Sequence, residues 1–383
     1  MSPSLRPVRL AATFAAIVTL TAACGSTATS SADSGSNATS SQAKTALATA
    51  IKGDTGTPPT TPTTPKAGVS LWVVSCGEQV PSCAKPVAAA KQAGELVGWK
   101  VNVCDGQLNP DGWGTCVRRA VSAKANVIIP VGIDCMAIQQ PFEEAKKAGV
   151  TVVGGGGSDC DAAGGAKLWA SERLQLTGVS IKDYWSLAGK MAADYVIGAT
   201  DGKAQVLEVK FTDPIWGPWL ASGFETELGT CSGCKVVSTL ELANNDFVSN
   251  TANSKFGSAV QQASSATAVY IPVGGWMPTG FAQAVKASGR AASLTVATGF
   301  GDESNLGLIR DGGGQTAGLG YATAWGGYGS VDTAIRVLNG EQPVVEGDGF
   351  QMIDATHNLP AAGKDYDGGV DFISIYKKDW GVS

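Results

Sequence analysis

Nine cysteines, ten tryptophans and a single histidine bound the chemistry open to this chain of 383 residues. His357 lies near the C-terminus and in no expected strand-end loop, so a Ser-His-Asp or Cys-His nucleophile arrangement has no base to draw on. Paired carboxylates across a cleft could hydrolyse a glycoside, yet no spacing brings a specific pair together. No Gly-Lys-Ser/Thr phosphate loop and no His-containing metal motif occurs, and the run Gly154-Gly155-Gly156-Gly157 lacks the pattern that surrounds a phosphate loop. The expectation is a binding protein with no catalytic residue, cofactor or metal.

The N-terminus carries an address. Arg6 and Arg9 precede an apolar run from Leu10 to Leu20, and Thr21-Ala22-Ala23-Cys24-Gly25-Ser26 follows. That run is too short to span a bilayer and has the layout of an export signal. The segment resembles a bacterial lipoprotein signal, in which the cysteine is acylated. Relatives usually carry Leu three positions before that cysteine, where this chain has Thr21; plain secretion is the alternative. Either route places the protein outside the cytoplasm, and lipid on Cys24 would hold it at the outer face of the cell membrane.

The other eight cysteines are Cys76, Cys83, Cys104, Cys116, Cys135, Cys160, Cys231 and Cys234. An even number in an exported chain points to disulfides. Sequence does not fix their connectivity; pairing of neighbours (76 with 83, 104 with 116, 135 with 160, 231 with 234) is the first expectation. Cys231-Ser232-Gly233-Cys234 has redox spacing, but it sits between a helical stretch and a strand rather than at a helix N-terminus, which reads as a structural clip.

Residues 25–66 are nearly all Ser, Thr, Ala, Gly and Pro. Such a segment buries little apolar area, so conformational entropy predicts a disordered tether. The formal charge of −5, without a basic cluster, excludes nucleic acid as an expected partner. The body alternates strands with amphipathic helices, the pattern of βαβ units around parallel sheets. Strands are expected over 69–74, 100–104, 125–131 and 150–153, then over 204–209, 235–240, 268–272, 294–298 and 316–319. Two such runs predict an α/β fold of two doubly wound parallel-sheet lobes, with a hinge and a ligand cleft beyond the C-terminal strand ends. The expected boundaries are a signal over 1–24, the tether over 25–66, a first lobe over 67–171 completed by about 321–347, and a second over 172–320 completed by about 348–383.

Several segments, in order, resemble the type I periplasmic sugar-binding proteins, the ribose-binding class that feeds ABC importers. In the first lobe they are Gly98 to Gln107, Ala125 to Asp134 and Ala145 to Val153; in the second, Gly223-Phe224, Phe281 to Gly289 and Thr298-Gly299-Phe300-Gly301-Asp302. The resemblance implies a small-molecule solute, most often a sugar, and ABC permease subunits as partners; a surface sensor that presents its closed form to a receptor is the alternative use of the same closure. Carried over by position, it implies Ser75, Glu78, Asp105, Asp134 and Asp159 as first-lobe ligand contacts. Second-lobe contacts would be Asp213, Trp216, Asn245, Trp276 and Asp302, with Tyr321 and Trp325 near a crossing.

The chain departs from that pattern. Gly274-Gly275-Trp276 replaces a common Asn-Asp, Gly301 is inserted before Asp302, and no arginine falls in a strand-end loop of the expected site. The cleft therefore reads as more aromatic and less charged than a pentose site, and an aromatic or partly apolar solute is the second expectation. Plainer roles stand beside these. Trp72 and Trp99 read as packing residues, Trp219 and Trp325 are open between core and cleft, and Asp105 and Asp134 could cap helices.

Overall fold

The computed structural model describes residues 32–383; the expected signal segment and Cys24 lie outside the described residues. Among the described residues, ten strands form two sheets. The first holds β1 (Ser70–Ser75), β2 (Lys100–Asp105), β3 (Val127–Val131) and β4 (Thr151–Val152) in the order β2-β1-β3-β4, all parallel. The second holds β5 (Gln205–Phe211), β6 (Lys235–Leu242), β7 (Ala268–Val273), β8 (Thr295–Phe300), β9 (Ala317–Tyr321) and β10 (Phe350–Asp354) in the order β10-β9-β8-β7-β5-β6. Only β10 runs antiparallel, against β9. Apolar runs decide which strands lie inside: β3 and β7 are buried at every residue, as parallel strands covered on both faces must be. The edge strands β2 and β6 keep partly exposed positions.

The helices are α1 (Ala32–Lys52), α2 (Pro81–Leu96), α3 (Pro110–Ser122), α4 (Gln139–Lys147), α5 (Ile181–Ala199), α6 (Trp216–Leu228), α7 (Asn244–Val248), α8 (Ala252–Gln262), α9 (Ala282–Ala287), α10 (Glu303–Arg310), α11 (Thr323–Asn339) and α12 (Phe372–Trp380). α11 crosses back to the first lobe and packs on α2. Gly327 makes the close approach possible, because a Cβ there would lie 2.6 Å from the Pro86 carbonyl oxygen.

Two boundaries differ from the sequence expectation. Within 348–383, β10 joins the second sheet, but α12 completes the first lobe. Phe372, Tyr376 and Trp380 form an aromatic stripe at helical spacing. Phe372 stacks on Trp325 with centroids 6.1 Å apart, and Trp380 on Tyr328 at 5.9 Å.

The expected disordered tether is the second correction. From Ala32 it is helical, and Ala43, Ala46 and Ala50 are buried against α5. Gly198 opens the contact, since a Cβ there would stand 2.4 Å from the Leu47 Cβ. Alanine loses almost no side-chain entropy on burial and is the best helix former, so a composition without large apolar residues still docks. The chain then runs extended over the hinge. Asp54 and Phe350 exchange backbone hydrogen bonds at 2.8 and 2.9 Å, and Gly56 N–H donates to the Gly347 carbonyl at 2.8 Å. First-lobe side chains hold its far end: Arg336 Nη2 donates to Thr61 O at 2.8 Å, and Trp99 Nε1 to Lys66 O at 2.9 Å.

Hinge segments 171–180 and 340–349 run side by side, with Glu346 N–H donating to Leu174 O at 2.7 Å and Gly347 N–H to Gln175 O at 2.8 Å. The disulfides join Cys76–Cys83, Cys104–Cys116, Cys135–Cys160 and Cys231–Cys234. The first three brace the first lobe, and the last clips the loop between α6 and β6.

Candidate functional site

Between the lobes lies a cavity of about 70 Å³. Its second-lobe wall is aromatic. Trp185 comes from α5, Trp216 from the first turn of α6 and Phe300 from the end of β8; Trp216 stands 5.3 Å from Trp185 and 5.4 Å from Phe300, centroid to centroid. Tyr321, at the end of β9, closes this wall 6.2 Å from both Trp185 and Phe300. The first-lobe wall is mostly backbone: Val131 at the end of β3 with Gly132 beyond it, and Gly155-Gly156 after β4, with Ser82 and Pro86 of α2. Gly132 has a φ of +65° and approaches the Cys76–Cys83 disulfide, where a Cβ would be 2.9 Å from Cys76 Sγ. Only glycine satisfies both demands there.

Arg173, from hinge segment 171–180, also lines the cavity although it is only 3% exposed. Its guanidinium pairs with the buried carboxylate of Asp348, and Nη2 donates to the Tyr321 hydroxyl at 3.0 Å. The Tyr184 hydroxyl donates to the Asp348 backbone carbonyl at 2.8 Å. Burial works against the Arg173 charge, but the Asp348 carboxylate outweighs it and holds the group protonated well above its ordinary range. Burial pushes the Asp348 carboxyl up, opposed by Arg173. Gly326 provides the bed for the guanidinium, since a Cβ there would lie 3.1 Å from Nη2. Among the described residues, Arg173 Nε and Trp185 Nε1 are buried donors without a hydrogen-bond partner.

Of the residues expected from the sequence, Trp216 and Tyr321 line the cavity and the other ten do not. Ser75 Oγ accepts from Gly77 N–H at 3.2 Å. Asp105 accepts from Glu78 N–H at 3.0 Å and Gln107 N–H at 2.9 Å, which folds the loops after β1 and β2 onto each other beside the cleft. Asp159 is consumed by the amides of Cys160, Leu168 and Trp169. Asp213 accepts from Asn244 N–H at 2.6 Å. Asn245 lies exposed in the short helix α7. Asp302 caps α10, accepting from Ser304 N–H at 2.8 Å.

Trp276 packs 4.5 Å from Phe247 and 5.1 Å from Phe211, centroid to centroid, in an aromatic cluster next to the cavity wall. Trp325 is 1% exposed and belongs to the first-lobe core. Asp134 does span the cleft: its Oδ1 accepts from Ser158 N–H and its Oδ2 from Ile215 N–H, each at 3.1 Å. A first-lobe carboxylate thereby ties the chain just before Trp216, and burial raises its pKa against those two hydrogen bonds.

Sequence reasoning missed Arg173, Trp185 and Phe300. Phe300 stood inside the quoted turn, one residue before the inserted Gly301. Arg173 lies in hinge segment 171–180, outside the strand-end loops where contacts were expected. An arginine within a hinge that must be partly buried was the available signal.

Two parallel-sheet lobes around a cleft are the decisive observation. A family profile described as "Periplasmic binding protein domain" matches residues 83–342. The chain belongs to this family. Among solved structures, a galactofuranose binding protein is 15% identical with a TM-score of 0.61, covering 82% of this chain and 99% of its own. The periplasmic binding protein component of the arabinose ABC transporter from Shewanella sp. ANA-3, bound to α- and β-L-arabinofuranose, is 16% identical with a TM-score of 0.61, covering 81% and 95%. A glucose-galactose binding protein from Geobacillus stearothermophilus is 18% identical with a TM-score of 0.61, covering 77% and 100%. No curated protein matches the chain. At these identities the likeness carries the periplasmic-binding-protein fold, and the family carries a solute-binding role outside the cytoplasm.

Proposed function

We propose that this protein captures a small solute, a sugar first among candidates, in the interlobe cleft and hands it to the membrane subunits of an ABC importer. The observation that carries the reading is the combination of aromatic faces with unpartnered donors. Trp185, Trp216, Phe300 and Tyr321 offer surfaces for the C–H faces of a sugar ring. Arg173 Nε and Trp185 Nε1 are left for the acceptor oxygens of a ligand, because buried donors without partners are costly. Structural relatives that bind galactofuranose and arabinofuranose support the sugar class. The same aromatic wall, with no acidic or amide side chain in the lining, favours a second reading in which the solute is partly apolar.

Binding proceeds through closure. A cavity of about 70 Å³ is far below the roughly 300–1,000 Å³ of sites for drug-sized ligands, so the lobes part to admit a solute. The crossings absorb that rotation, and the ligand favours the closed state through contacts available only there. Acylation at Cys24 completes the proposal by holding the receptor at the membrane; a single acyl chain binds only marginally, so a diacylated cysteine is the sufficient anchor. The test is a thermal-shift screen over mono- and oligosaccharides, polyols and aromatic glycosides. A ligand at about 100 times its Kd stabilises the protein by about 2.7 kcal/mol. Failure of every saccharide alongside a response to an aromatic solute would remove the sugar assignment and keep the binding role.

A further inference from the structure

We propose that Asp348 sets the charge preference of the cleft: by neutralising Arg173 from behind the cavity wall, it makes the site select an uncharged solute and reject the carboxylate analogue. This rests on the reading of the cleft as the solute site and adds its substrate class.

Among the described residues, Arg173 is the one cationic side chain of the lining, and none of its lining residues carries a carboxylate. Guanidinium stays protonated in proteins, so its charge is permanent. The group lies against the backbone of Gly326, in the first turn of α11, where the helix adds partial positive charge of its own. An isolated cation in so enclosed a place recruits an anion, and guanidinium pairs with carboxylates in preference to most other groups. The structure satisfies that demand internally. Asp348 is 0% exposed, stands outside the lining and ion-pairs with Nη1 of Arg173. The next acidic group, Glu346, is occupied elsewhere: it accepts from Thr333 Oγ1 at 2.9 Å and from the Tyr376 hydroxyl at 2.6 Å. Burial also pushes the Glu346 carboxyl well up, opposed by the hydroxyls of Tyr376 and Thr333 and by Arg173. What Arg173 presents to the cavity is therefore a hydrogen-bond donor whose charge is already balanced. A neutral hydroxyl oxygen is matched by that donor, whereas a carboxylate would bring a second negative charge to a pair that holds one.

Matched pairs of compounds test the inference on the full-length chain: D-galactose with D-galacturonate, L-arabinose with L-arabinonate, and benzyl alcohol with benzoate for the partly apolar reading. Affinities are measured by calorimetry in wild type, in Asp348→Asn and in the double variant Arg173→Met/Asp348→Asn. Wild type is expected to bind the neutral member of a pair at least tenfold more tightly than the acid. Asp348→Asn is expected to shift that ratio at least tenfold toward the acid. The double variant, which has neither charge, is expected to keep rejecting acids and stands in where the single variant does not fold. Acid-over-neutral binding by wild type, an unchanged ratio in folded Asp348→Asn, or acid binding gained by the double variant overturns the proposal. A response confined to the benzyl alcohol pair removes the sugar reading alone, and silence from all pairs in wild type and Asp348→Asn removes both.

Discussion

Glu208 sits on β5 with both carboxyl oxygens buried and, among the described residues, without a hydrogen-bond partner, beside Tyr270, whose hydroxyl likewise finds none there. Burial pushes its pKa up to about 8, against the pull of Lys210 at 3.8 Å. A carboxyl whose folded pKa is raised holds its proton more tightly in the native state. Its contribution is therefore fully present below the ordinary value of 4.5 and is lost as pH rises toward about 8. Glu208→Gln should flatten that loss, so that Tm falls less between pH 5 and pH 8 than in wild type; an unchanged pH slope would refute it. The tryptophans separate by role in the same way. Trp216→Ala removes a cavity wall and should weaken a solute identified by screening about fivefold, near the 1 kcal/mol of an aromatic contact. Trp276→Ala opens an aromatic cluster behind that wall and should cost about 1–3 kcal/mol of stability, with affinity nearly unchanged. Equal losses of affinity in the two variants would contradict the division.

At the scale of elements, α1 and the strap that follows it connect the second lobe, the hinge and the first lobe outside the family match over 83–342. Gly198→Val should force α1 off α5, because the added side chain meets Leu47 and the Ala43 carbonyl. The expected cost is about 1–3 kcal/mol, as for other overpacked contacts, with faster proteolysis and hydrogen exchange over residues 43–66. Unaltered exchange there would show that the α1–α5 contact does not hold the strap. The disulfides act on the same scale. Cys135–Cys160 closes the longest loop of the four, at a sequence separation of 25, and replacing both cysteines with serine should cost about 3 kcal/mol, read as a lower denaturation midpoint.

For the whole molecule, the prediction concerns the membrane. Wild type should partition into detergent and Cys24→Ala should not; equal release of both into the medium would leave the chain as a plainly secreted protein. The order of elements also constrains how the body is presented. Residues 25–66 were expected to act as a long spacer, but α1 packs on the second lobe from Ala43 onward. An anchor at Cys24 would therefore hold the second lobe closer to the bilayer than a free spacer of that length would.

The two-lobed parallel fold was legible because each buried strand is a short apolar run, as in β3 and β7, and each helix repeats with its own period. The two cavity aromatics found from sequence, Trp216 and Tyr321, lie at the start of the helix after β5 and at the end of β9, on the side of the strand ends where ligands gather in such sheets. Carboxylates in the same kind of position were misread, because a local backbone amide satisfies an aspartate as well as a solute does, and Asp105, Asp159 and Asp302 took the amides. Arg173, Trp185 and Asp348 became a site only through tertiary structure. Their neighbours lie far away in sequence, and the pairing of charge with countercharge depends on crossings that no local pattern encodes. The strap was decided there too: a stripe of alanines has too little apolar area to predict its own burial, and becomes core only when Gly198 opens a place beside it.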